Sequence, residues 1–185
     1  MTYNALTRIS RRPNPKQVWI PVLCGLAIIL GESTQLMGAG HTGAWLLHLI
    51  NLFHAQSDDR NFEFYHILLR KCGHFTGYGL LGTLFARAWT AFLQRRVLAT
   101  WTALRVRGAA LGVASAFAVA CADEFHQRFL PGRVSSFRDV MIDTSGAIVL
   151  NILFYLIIAT KRKHALQFLS RIRTIRQGWF RLPAN

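Results

Sequence analysis

The chain has 185 residues, of which 52% are hydrophobic and only 16% are charged. A soluble domain usually has about a quarter of its residues charged, and the hydrophobic residues here form long blocks. The net charge is +14, but the basic residues stand in short runs beside those blocks. That arrangement is typical of loops that flank membrane spans and not of a nucleic-acid-binding surface. The composition therefore argues against an ordinary soluble domain and against a nucleic-acid partner, and it favours an integral membrane protein.

Apolar blocks in the first half of the chain predict two spanning helices. After a basic N-terminus at 1–16, the block at 17–37 is long enough, at about 1.5 Å per residue, to cover a hydrocarbon core of about 30 Å. The segment 38–70 holds the apolar run WLLHLINLF, which predicts a short interfacial helix, and then FEFYHILLR, which starts the next helix. The block at 71–93 is the second predicted span, and it carries small residues that permit close helix packing in lipid: Gly73, Gly77, Gly79 and Gly82.

The second half of the chain predicts two more spans. A connecting loop at 94–107 carries four arginines and no acidic residue. The third span runs from 108 to 130 and is ended by the Pro-Gly pair that follows it. The fourth span runs from 138 to 160, and the basic tail at 161–185 is predicted to be an amphipathic surface helix. The fold class is thus an all-α membrane bundle of four helices, with a transmembrane domain at 17–160 between two basic cytoplasmic ends.

The distribution of charge predicts the orientation of this bundle. The N-terminus, the 94–107 loop and the tail together hold 15 of the 22 Lys and Arg residues, whereas the opposite side holds six. Since cytoplasmic segments carry the excess of Lys and Arg, we expect a multi-pass protein of the inner or plasma membrane with both termini in the cytoplasm. The 38–70 segment and the PGRVSSFRD turn then lie outside, and membrane lipids are the expected surroundings.

Polar residues inside the predicted spans are costly, so each requires a reason. On the second span, spacings of three and four residues put Lys71, His74 and Tyr78 on one helix face. Acidic residues follow on the third and fourth spans, near their outer ends. We therefore expect one constellation in the outer third of the bilayer, joined by residues 32–35 of the first span. Its members are Lys71, His74, Tyr78, Asp123, Glu124, Gln127, Arg133, Asp139 and Asp143.

Three interpretations of this constellation remain open at the level of sequence. The carboxylates could pair with Lys71, Arg133 and Arg138 and serve only to fix helix packing. They could instead form a functional site, for binding or for catalysis. A metal site is disfavoured because no HxxxH or HExxH spacing is present, and the three cysteines form no CxxC pair. We therefore expect no metal and no cofactor.

The same residues carry a family resemblance. The segment KCGHFTGYGLLG resembles the K-x-x-H-F-x-x-Y-x-x-L signature of VanZ-like membrane proteins. The segment ADEFHQRFLPGRVSSFRDVMIDTSGA resembles that family's D-E-x-x-Q-x-F-x-P-G-R…D-x-x-x-[DN]-x-x-G signature, and ESTQ at the end of the first span is similar to its S-S-Q. The resemblance covers residues 20–158. It implies a small helical membrane protein, and the family's founding member is associated with low-level resistance to teicoplanin, a lipid-bearing glycopeptide.

The resemblance establishes no reaction, so three classes of function stay open. The leading hypothesis is an envelope protein whose outward-facing polar site binds or modifies a lipid-linked or amphiphilic ligand, in connection with teicoplanin-type resistance. The first alternative is a membrane hydrolase or transferase acting on a lipid headgroup. There His74 would be the acid or base, Asp123 or Glu124 its partner, and Lys71 with Arg133 the phosphate ligands. The second alternative is a small transporter or accessory protein, for which a homo-oligomer would be expected.

Overall fold

The computed structural model describes residues 14–34, 37–52, 59–96, 99–131, 133 and 135–179. Within these ranges the chain is all-α and contains no strand, so the predicted fold class is confirmed at that level. Five helices follow one another along the chain: α1 (Pro15–Glu32), α2 (Ala39–Leu52), α3 (Asp59–Arg96), α4 (Trp101–Gln127) and α5 (Phe137–Trp179).

Local capping explains where the first helix starts and stops. The side chain of Asn14 accepts a hydrogen bond from the backbone N–H of Lys16 at 3.1 Å, and Pro15 occupies the first helical turn, where its missing N–H costs nothing. The helix ends at Glu32, five residues before the predicted end of the first span. A short helix, α2, is present where the sequence predicted an interfacial one, and FEFYHILLR lies in the first turns of α3.

Two boundaries in the second half differ from the prediction. The predicted loop at 94–107 is largely helical, because Thr100 caps the backbone N–H of Ala103 at 3.2 Å and starts α4 at Trp101. The predicted tail helix is not separate from the fourth span. Instead, α5 continues for 43 residues, since no Gly or Pro interrupts the chain between Gly146 and Gly178.

Two of the described helices are long and apolar enough to cross a membrane. They are α4 over Trp101–Gln127 and the Phe137–Phe168 part of α5. Spans through α1 and α3 remain a prediction from the sequence. The chain also divides into two compact units, 1–151 and 152–185. The first unit contains the four earlier helices and the start of α5, and the second is helical from Ile152 to Trp179.

Helix α3 is the central element of the first unit, and glycines let three neighbours approach it. A Cβ placed on Gly112 of α4 would lie 2.6 Å from the carbonyl oxygen of Gly82, and a Cβ on Gly79 would lie 3.0 Å from the carbonyl oxygen of Gly146 on α5. On the α1 side, Gly25 leaves room for the side chain of Leu81. Close backbone contact of this kind is how helices pack in lipid, where hydrophobicity drives no association.

Helix α2 is attached to α3 by a small polar contact. The Thr42 hydroxyl lies 3.1 Å from Nε2 of His66, and the Arg70 guanidinium donates to the carbonyl oxygen of Met37 at 2.9 Å and to the Thr42 hydroxyl at 3.1 Å. Burial and the nearby Arg70 charge both lower the pKa of His66. Away from α3, α2 exposes Trp45, Leu49 and Leu52, which share one helix face and suit a helix lying on a membrane surface.

The glycine contacts predict the effect of a single methyl group. Gly112→Ala places its Cβ against the backbone of Gly82 and Ala86, which cannot rotate away. We expect a loss of about 1–3 kcal/mol of stability, seen as a lower melting temperature of the purified protein in detergent. The matched control is Gly77→Ala on α3, whose added Cβ would meet nothing within 4 Å. The control should melt at the parent temperature or above it, because Gly in a helix interior costs about 1 kcal/mol relative to Ala. If Gly112→Ala and Gly77→Ala had the same melting temperature, the close contact of Gly112 with the α3 backbone would be contradicted.

Candidate functional site

A cavity of about 400 Å³ lies among α3, α4, α5 and the turn between the last two helices. Most of its lining is polar or charged, and two isoleucines complete it. Seven of the nine residues predicted from the sequence line this cavity; Tyr78 and Asp123 do not. The lining residues are Ile67, Arg70, Lys71, His74, Glu124, Gln127, Arg133, Asp139, Ile142 and Asp143.

A histidine and a carboxylate face each other in the cavity wall. Nδ1 of His74 lies 3.6 Å from Oδ1 of Asp143, and the side chain of Asp143 is only 1% exposed. Their helices approach closely here because Gly146, one turn after Asp143, lies against the backbone of Phe75, the residue after His74. The separation is too long for a good hydrogen bond, so the two groups form a loose pair that a small shift would tighten.

A second polar group lies behind the cavity wall. Tyr78 stacks on His74 with ring centroids 6.3 Å apart, and its hydroxyl donates to Oδ2 of Asp123 at 3.1 Å. The side-chain amide of Gln127 donates to the same oxygen at 3.0 Å. Tyr78 and Asp123 are 2% and 8% exposed, respectively. The structure thus brings these predicted residues together, with Tyr78 and Asp123 buried between α3 and α4 behind the cavity lining.

Glu124 and Lys71 have separate partners. One carboxylate oxygen of Glu124 accepts a hydrogen bond from the backbone N–H of Ser136 at 2.7 Å, which fixes the chain just before α5 begins. The ammonium of Lys71 lies 3.4 Å from a carboxylate oxygen of Asp139, and both side chains are partly exposed. The sequence grouped Glu124, Lys71 and Asp139 by depth, but their partners depend on how the helices are rotated.

Arg133 ties the turn after α4 to the end of α1. Its terminal nitrogen donates to the carbonyl oxygens of Glu32 at 2.8 Å and Thr34 at 2.7 Å. Carbonyls at a helix C-terminus carry partial negative charge, so a guanidinium is well placed there. Nε of Arg133 is buried without a hydrogen-bond partner among the described residues. Glu32 and Thr34 thus contact the cavity residue Arg133, whereas Gln35 lies outside the described residues.

Arg70 is a cavity residue that the sequence analysis missed. It lines the same cavity as His74 and Arg133 while its guanidinium binds α2 through Met37 and Thr42. Its position four residues before His74 places both on one face of α3, so the spacing argument could have included it. Neither Arg70 nor Arg133 makes a salt bridge among the described residues, since both donate to neutral oxygens.

No group of three or more His, Cys, Asp and Glu side chains within the described ranges is placed to hold a metal ion.

Comparison with known protein families gives a match over most of the chain. Residues 18–158 match the family described as VanZ/LLP1. The chain belongs to the VanZ/LLP1 family. The resemblance noted in the sequence is therefore confirmed, and the matched range contains the whole polar cavity. No curated protein and no solved structure matches the chain.

The Arg133 contacts predict a structural cost that can be measured. Arg133→Gln loses both charged hydrogen bonds to the end of α1, and we expect a loss of about 1–2 kcal/mol, read as a lower melting temperature in detergent. Arg138→Gln is the matched control. It also removes one arginine charge, but from an exposed residue in the first turn of α5. If both variants had the melting temperature of the parent protein, the two hydrogen bonds to α1 would contribute nothing to stability.

Proposed function

We propose that this VanZ-like protein crosses the membrane four times, through α1, α3, α4 and α5, with both termini in the cytoplasm. The apolar lengths of α4 and α5 support two of these spans, and α1, with 18 residues, covers about 27 Å. Large apolar side chains on helix surfaces support lipid exposure, among them Ile28, Leu30, Ile152 and Leu153. The excess of basic residues on one side supports the orientation.

This topology predicts a labelling pattern. Single cysteines replace Ser57 or Ala99 in a background without Cys24, Cys72 and Cys121, and intact cells are treated with a membrane-impermeant maleimide. The Ser57 position should react from outside and the Ala99 position should not, whereas both should react after lysis. Labelling of Ala99→Cys alone in intact cells would overturn the orientation.

Within this topology the cavity opens toward the outer leaflet, and we propose that it binds the anionic headgroup of an amphiphilic envelope molecule. One observation supports this most strongly: two guanidinium groups, Arg70 and Arg133, line the cavity and donate only to neutral oxygens. Of the three carboxylates that line the cavity, Asp139 faces Lys71, Asp143 faces His74, and Glu124 accepts from the backbone of Ser136. Because a guanidinium has five N–H donors, Arg70 and Arg133 retain donors for a phosphate or carboxylate.

The apolar part of the ligand also has a place. Ile67 and Ile142 line the cavity beside the charged groups. On the adjoining surface, Leu68 and Met141 are exposed, so an acyl or prenyl chain can leave the cavity into lipid. The family resemblance connects such a site to resistance against teicoplanin-type glycopeptides, so we propose a lipid-linked or lipid-bearing envelope molecule as the ligand class.

A second candidate function is a hydrolase or transferase acting on the same headgroup. The loose pair of His74 and Asp143 favours it, because a buried carboxylate facing one ring nitrogen orients a histidine for proton transfer at the other. The partner proposed from the sequence was Asp123 or Glu124, and the structure gives His74 a different one. Asp123 is held by Tyr78 and Gln127, and Glu124 by Ser136.

Headgroup binding predicts a specific loss on removal of Arg70. The purified protein is titrated with dodecyl phosphate and, separately, with inorganic phosphate, and binding is read from the shift in melting temperature. Arg70→Gln should bind dodecyl phosphate at least about tenfold more weakly, whereas Arg87→Gln, an exposed arginine outside the cavity on the same helix, should match the parent. Equal binding by Arg70→Gln and parent would contradict the proposal. Equal affinity for inorganic phosphate would show a soluble-anion site instead.

His74→Gln separates the two candidate functions in the same experiment. Glutamine keeps hydrogen bonding but cannot cycle a proton near neutral pH. Catalysis predicts that this variant melts normally and binds the probe but loses whatever change in teicoplanin susceptibility the parent produces in the same host. Binding alone predicts that the phenotype survives. A lower melting temperature with a phenotype reduced only in proportion to protein level would make His74 a structural residue.

A further inference from the structure

The contact between α2 and α3 includes a residue of the polar cavity. Nη1 of Arg70 donates to the carbonyl oxygen of Met37 at 2.9 Å and to the Thr42 hydroxyl at 3.1 Å. The same hydroxyl lies 3.1 Å from Nε2 of His66, a residue that is only 7% exposed. We call these four residues the α2 seat. Because Arg70 also lines the cavity, the seat connects α2 to the polar site.

A glycine lets the backbone of α2 reach the seat. A Cβ placed on Gly43 would lie 3.3 Å from Cε1 of the His66 ring. That ring stacks on Phe62, with centroids 5.8 Å apart and 10° between the planes, which helps to hold it in place. Gly40, on the same helix, differs because an added Cβ there would meet nothing within 4 Å. One face of α2 is therefore fitted to the seat.

Arg70 depends on α2 for its position. Burial and the nearby charge of Arg133 lower the pKa of Arg70, whereas Asp139 and Glu32 raise it. A partly buried guanidinium beside a second cation turns its charged end toward water unless acceptors hold it in place. Both acceptors that bind Arg70 belong to the α2 seat. Without α2, the long side chain of Arg70 regains its rotamer freedom.

The contacts to α2 leave part of each guanidinium for a ligand. A guanidinium has five N–H donors, and Arg70 uses only those of Nη1 to hold Met37 and Thr42. Arg133 is arranged in the same way, since its Nη2 donates to the end of α1 and its Nε is buried without a partner among the described residues. Each arginine is thus fixed through one nitrogen and keeps others for an anion.

We infer that headgroup binding in the polar cavity is coupled to the seating of α2, with Arg70 as the link. This inference rests on the headgroup site proposed above and adds its regulation. When α2 is seated, Arg70 is already in place near Arg133, so an anion does not have to immobilise a long side chain in order to bind. Coupling between two equilibria is reciprocal, so a bound anion also holds α2 on its seat.

Titration of matched variants with dodecyl phosphate tests the coupling. Thr42→Val removes the hydroxyl that Arg70 and His66 contact, and Gly43→Val places methyl groups against the His66 ring. Each should bind at least about threefold more weakly than the parent. Thr42→Ser, which keeps the hydroxyl, and Gly40→Val, which adds the same side chain to an open position of α2, should both match the parent. Parent affinity in both Thr42→Val and Gly43→Val, or an equal loss in Gly40→Val, would refute the coupling.

Hydrogen–deuterium exchange of α2 gives an independent measurement. Dodecyl phosphate should slow exchange of the amides at residues 43–52 of the parent by about the factor that Thr42→Val loses in affinity. Dodecyltrimethylammonium, a cation with the same alkyl chain, should leave this exchange unchanged. Equal slowing by the two amphiphiles, or none with dodecyl phosphate bound, would overturn the coupling.

Failure of this inference and failure of the headgroup site give different results. If Arg70→Gln binds dodecyl phosphate as the parent does, the headgroup site is refuted, and the coupling with it. If Arg70→Gln loses binding while Thr42→Val and Gly43→Val keep it, the site stands and only the coupling is refuted.

Discussion

Close contact between helix backbones underlies the arrangement of the first unit. Gly82 of α3 meets Gly112 of α4, and Gly79 meets Gly146 of α5, at distances where an added methyl group would collide with backbone atoms. In lipid, van der Waals contact and interhelical hydrogen bonds replace the hydrophobic effect as the source of helix association. The polar side chains of the cavity can converge only because these small residues bring their helices together.

The polar groups around the cavity divide into two kinds. Asp123 and Glu124 are held by short hydrogen bonds from Tyr78, Gln127 and Ser136, so they link helices and the α4–α5 turn. His74 and Asp143 face each other at a distance that leaves Nδ1 and Oδ1 without a hydrogen bond among the described residues. A buried polar atom without a partner is costly, and such atoms gather where a structure rearranges or receives a ligand. Oδ1 of Asp123 and Nε of Arg133 also lack a partner among the described residues, so such atoms occur around the whole cavity and not only in one pair.

The two ends of the first unit differ in charge. The polar cavity is lined by three acidic and three basic side chains together with His74, and Lys71 with Asp139 and His74 with Asp143 form two pairs within it. At the opposite end of α3 the last turn carries Arg95 and Arg96, and the sequence has no acidic residue between Glu63 and Asp123.

The sequence by itself determined the helical class, the family and the residues that share each helix face, because hydrophobic blocks and spacings of three and four residues are local properties. It placed Lys71 and His74 on one face of α3 and Asp139 and Asp143 on one face of α5. It did not predict that α5 continues past residue 160, or that Thr100 starts α4 within the expected loop. Only the tertiary structure decided that His74 faces Asp143 and not Asp123 or Glu124, that Arg133 caps α1, and that Arg70 joins the cavity. The reason is that helical periodicity specifies a face, whereas the partner of that face depends on the rotation of neighbouring helices, which is set where Gly146 meets Phe75 and Gly112 meets Gly82.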